Sequence, residues 1–76
     1  MLEAFISDLV TLIQEHYNRT LRPLPGETEQ AQQFRLGENT AFYSVLSLIE
    51  LQLNAFDLKI SSGKPIAPEP GKPVDS

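Results

Sequence analysis

Seventy-six residues, 41% of them apolar and six of them proline, make one small domain. The chain has no cysteine, which removes disulfides, thiolate zinc sites and thiol nucleophiles together. Ten acidic residues against six basic ones give a net charge of −4, so the positive field that draws proteins to phosphate backbones or anionic lipid is missing and nucleic acid is a disfavoured partner.

The first element spans Leu2 to Leu21. Apolar residues at Leu2, Phe5, Ile6, Leu9 and Ile13, continuing to His16 or Tyr17, follow the three-and-four spacing of one helix face. Glu3, Ser7, Asp8, Thr11, Gln14, Glu15 and Asn18 form the opposite face and are expected to meet water. The start of the chain, Met1-Leu2-Glu3-Ala4, carries an acid where a secretory leader would carry lysine or arginine, so a cytoplasmic protein is expected. Arg22-Pro23-Leu24-Pro25-Gly26 then stops the helix, because its two prolines remove backbone donors and push their predecessors out of the helical region.

The second helix is expected from Glu27 to about Ser61, with Gly26 or Thr28 as its N-cap and Glu27 and Glu29 in the first turn, where the dipole favours negative charge. Leu36-Gly37-Glu38-Asn39-Thr40 is its weak point; the reading is a continuous helix, with a kink near Gly37 as the alternative. Gly63 suits the left-handed residue that ends many helices. The most apolar stretch, Ala41 to Ile60, contains Glu50, Asp57 and Lys59, and at about 2.5 to 3.5 kcal/mol for each central charge it is not expected to enter a membrane.

Residues 64–76 hold four prolines and a glycine and are expected as a solvated, extended tail, so the chain divides into a helical hairpin at 1–62 and a flexible Pro-rich tail at 63–76. Pro65-Ile66-Ala67-Pro68 and Pro70-Gly71-Lys72-Pro73 match the loose spacing of polyproline ligands, but neither has a well-placed basic neighbour, and no dedicated receptor is expected.

The fold class is therefore all-α: an antiparallel hairpin of a short and a long helix. A first helix of about 20 residues shields the second only as far as about Leu46 or Leu48. Beyond that point Leu48, Leu51, Leu53, Ala55, Phe56 and Leu58 would stand in water, and they are the expected oligomer interface, closed by a second copy into a four-helix bundle. Docking into a different protein is the alternative use of the same residues.

Chemistry is sparse. His16 is the one histidine, and no carboxylate or second histidine stands at helical spacing on its face, so it is read as a boundary or core residue; only a two-fold axis joining two copies of His16 would offer a metal site. Arg19, Arg22 and Arg35 gather near the loop, where Glu27, Glu29 and Glu38 cancel their field. No Gly-rich phosphate loop, nucleophile elbow or metal-ligand cluster occurs, and no catalytic, cofactor or metal residue is assigned. The expected function is a non-enzymatic, homodimeric interaction module, a small regulator, adaptor or accessory subunit. The alternatives are a hetero-complex subunit and a Rop-like RNA-binding hairpin dimer.

Overall fold

The computed structural model describes residues 1–58 and 65–74, and in it two helices, α1 (Leu2–Arg19) and α2 (Glu29–Ala55), pack as a hairpin with no strand among the described residues. Helix α1 ends where the Arg22-Pro23 pair requires. Its last turn tightens: the Thr20 amide donates to the Tyr17 carbonyl at 3.0 Å, and the Thr20 hydroxyl donates to the same carbonyl at 2.6 Å. The chain reverses through Leu24-Pro25-Gly26-Glu27, where Pro25 presets one turn position and Gly26 takes φ 68°, a conformation that carries no steric cost without a Cβ. Thr28, not Gly26, is the N-cap of α2, its hydroxyl accepting from the Ala31 amide at 3.1 Å.

Helix α2 runs unbroken through Gly37, as its one assigned span shows. It ends earlier than glycine positions alone suggest. The Leu58 amide reaches back to the Leu53 carbonyl at 2.8 Å and the Asp57 amide to the Asn54 carbonyl at 3.1 Å, the paired bonds of a Schellman stop. The left-handed residue in that stop is Asp57, at φ 55°. Aspartate tolerates this region better than most side-chain-bearing residues because its short carboxyl bonds locally. Gly63, the expected stop, lies outside the described residues, as do the other positions in 59–64.

Three cross-helix contacts fix the register. Asn39 Nδ2 donates to Thr20 Oγ1 at 2.9 Å, the His16 and Phe42 rings lie 5.8 Å apart, and the Tyr17 and Tyr43 rings 6.5 Å. Facing positions therefore sum to about 59, which sets Ala55 level with the first turn of α1 and leaves the overhang of α2 at its N-terminal end, beside the loop. This corrects the expectation that α2 outruns α1 at its C-terminal end. The loop is nine residues long, 20–28, and carries the chain beyond the end of α1 before α2 begins, so the shared length lies further along α2 than a tight turn would place it.

The Pro-rich segment is likewise not a solvated tail within its described part. Ile66 and Val74 are 6% and 8% exposed and join Val10, Tyr17 and Leu46 in the core, with Pro68 also buried. Residues 65–74 form a strap along the furrow between the helices. Glu50 Oε2 accepts from the amides of Ile66 at 2.7 Å and Ala67 at 3.1 Å, and Gln14 Nε2 donates to the Ile66 carbonyl at 3.2 Å. Asn18 grips Val74 at both ends of its backbone, accepting from the amide at 2.7 Å and donating to the carbonyl at 2.9 Å. Between these two holds the strap turns at Glu69-Pro70-Gly71-Lys72, with Gly71 at φ 78° and the Lys72 amide on the Glu69 carbonyl. This repeats the Pro-Gly chemistry of the inter-helix loop. Proline's fixed φ lowers the entropy cost of docking such a segment, because fewer unfolded conformations are lost.

Candidate functional site

The strap covers one flank of the hairpin, the side of Gln14 and Asn18 on α1 and Glu50 on α2. At 100° per residue, Leu2, Phe5, Leu9, Leu12 and His16 fall on the other flank of α1, and Phe34, Ala41, Val45, Leu48 and Phe56 fall on the same flank of α2. That the two stripes share one face is visible at the loop end, where His16 of α1 and Phe34, Glu38 and Phe42 of α2 line a single groove. The hairpin therefore has a strapped face and an open apolar face.

The open face is substantial for so small a fold. Phe5 is 63% exposed, Leu48 59% and Phe34 69%. Taking about 200 Å² for a fully exposed large apolar residue, its eight large side chains, from Leu2 to Phe56, leave roughly 900 Å² in water. The largest apolar patch on a typical monomer is about 300 to 600 Å². A standard specific interface buries about 800 Å² per partner.

Of the residues assigned to an interface from sequence, Leu48 and Phe56 lie on this face and are exposed. Leu51 and Ala55 are exposed on the outer side of α2, and Leu58 lies past the helix end as part of its stop. Leu53 is half-buried against the core, so its side chain is already occupied within one copy. The sequence reading gave Phe5 and Leu9 to the internal core as part of the α1 stripe and left Leu12 outside that stripe, and all three are exposed on this face. The signal was present in the width of that stripe, which is broader than one neighbouring helix covers.

At the loop end the groove has a cavity volume of about 430 Å³, with Leu24, Phe34 and Phe42 as its apolar walls and His16, Arg19 and Arg22 around it. The third arginine is committed elsewhere. Arg35 forms a two-pronged pair with Glu27, at 2.8 and 3.0 Å, and its remaining nitrogen donates to the Thr20 carbonyl at 2.9 Å. Its guanidinium holds the Glu27 carboxyl below the usual carboxylate range, and Glu27 in turn raises Arg35. Arg35 thus locks the loop onto α2 instead of joining Arg19 and Arg22 in a positive patch. His16 is exposed; its Nδ1 lies 2.8 Å from the Leu12 carbonyl, which only accepts, so Nδ1 carries the proton. Among the described residues no group of three His, Cys, Asp or Glu side chains is placed to hold a metal ion, and no helix is long and apolar enough to cross a membrane.

No family model, curated protein or solved structure matches this chain.

Proposed function

We propose that this chain is a non-enzymatic helical interaction module, a small cytoplasmic regulator, adaptor or accessory subunit that works as a homodimer. The observation that carries the reading is the open apolar face on the side of the hairpin away from the strap. One flank of the helix pair is covered by the chain's own residues 65–74, while the other leaves Phe5, Leu9, Leu12, Val45 and Leu48 uncovered. A two-fold axis lets one such face cover its own copy, and stacking two hairpins this way makes a four-helix bundle.

Light scattering combined with size exclusion tests it. Wild-type protein is expected at twice 8.5 kDa, and Leu9→Asp and Leu48→Asp at 8.5 kDa with unchanged helical circular dichroism. Both leucines are exposed in the single copy, so a charge there acts on association and not on the hairpin core. Wild-type protein that remains at 8.5 kDa up to millimolar concentration would refute the homodimer.

A further inference from the structure

The open face is not the same at its two ends. At the loop end it has the groove walled by Leu24, Phe34 and Phe42, with Arg19 and Arg22 exposed beside it. At the free end, where α1 begins and α2 stops, it has Leu2 and Phe5 standing proud at 71% and 63% exposure, with Asp8 exposed along its outer edge. One end is a hollow rimmed by Arg19 and Arg22 with Glu38 in its lining; the other is a projection edged by Asp8.

Resting on the homodimer reading, we propose that the two copies pair antiparallel, loop end over free end, so that Phe5 of each copy seats in the groove by Phe34 of the other and Asp8 lies beside Arg19 and Arg22. The parallel arrangement would set hollow on hollow and leave the groove unfilled. The antiparallel one fills both grooves by one operation, because the symmetry repeats each contact. It also brings the whole of each stripe under cover: α2 overhangs α1 by the loop, and only a partner's free end reaches that overhang. The area available, roughly 900 Å² per copy, meets what a stable dimer needs.

The absence of cysteine makes the orientation measurable. Single nitroxide labels go on Ala4→Cys at the free end, Gln30→Cys at the loop end and Ser44→Cys midway, all exposed positions, and pulsed dipolar spectroscopy reads the distance between copies. The antiparallel pairing gives end labels more than about 30 Å apart, set by a molecule 43 Å long, while the midway labels lie much closer together. Short distances at both end labels would overturn the orientation and leave the dimer standing. Long distances at all three would place the contact on another face, and no dipolar coupling at any label would overturn the homodimer itself. Charge reversal supplies a second readout. Asp8→Arg and Arg19→Glu are each expected to weaken dimer affinity about two- to tenfold, and the double variant to restore it. Losses that add in the double variant would refute the facing of these residues.

Discussion

Replacing Ile66 by alanine tests whether the Pro-rich segment belongs to the fold. The side chain is 6% exposed and packs with Val10, Tyr17, Leu46 and Val74, so truncation removes its transfer free energy and leaves a cavity. Isoleucine-to-alanine changes in cores cost about 2 to 5 kcal/mol, and a site at the surface of a thin core relaxes well, which favours the lower half of that range. One ceiling applies: the loss cannot exceed the free energy that docks the strap, because past that point residues 65–74 simply leave the furrow. About 2 kcal/mol is expected, a large share of the roughly 4 to 11 kcal/mol that a chain of this length commands. Urea titration followed by far-ultraviolet circular dichroism reads both quantities. A falling midpoint with an unchanged slope marks a cavity in a docked strap, whereas a falling slope marks release of the strap, since less surface is then exposed on unfolding. Lys72→Ala is the control, because its pair with Glu69 is exposed at both ends and surface pairs contribute little. A midpoint and slope identical to wild type in Ile66→Ala would show that the segment contributes nothing to folding.

Two further outcomes follow from local chemistry. Asp57→Gly is expected to raise stability by about 1 kcal/mol, since a left-handed residue with a side chain becomes one without, and a lower melting temperature would contradict the Schellman assignment. Because Arg35 depresses the Glu27 pKa, the pair contributes stability above the ordinary glutamate value of about 4.3 and loses it as pH falls through the lower folded value. Wild type should therefore lose more of its urea midpoint between neutral and strongly acid pH than Glu27→Gln does, and parallel pH profiles would remove the pair from the account.

Periodicity and proline placement carried the two helices and their order. Leu2, Phe5, Ile6, Leu9 and Ile13 declare a helix without any tertiary information, and Arg22-Pro23 ends it for covalent reasons that no packing overrides. Thr28 was one of two legible N-caps, and the loop's composition required a reversal. These are local properties, decided within a few residues of the chain.

Tertiary structure decided what the helices do with their surfaces. Gln14 and Asn18 read as water-facing because each is polar on the polar side of α1, yet both hold the backbone of residues 65–74, as does Glu50 from α2. Hydrogen-bonding capacity is visible in sequence, but its partner is chosen more than fifty residues away for Asn18 and Gln14, where no periodicity points. The prolines that forbid helix also make an ordered strap less costly, so composition alone could not separate a free tail from a docked one. The strap's choice of furrow then determines which flank remains bare. That is why the uncovered surface is the face of Phe5, Leu9 and Leu48, spanning both helices, and not the end of the second one.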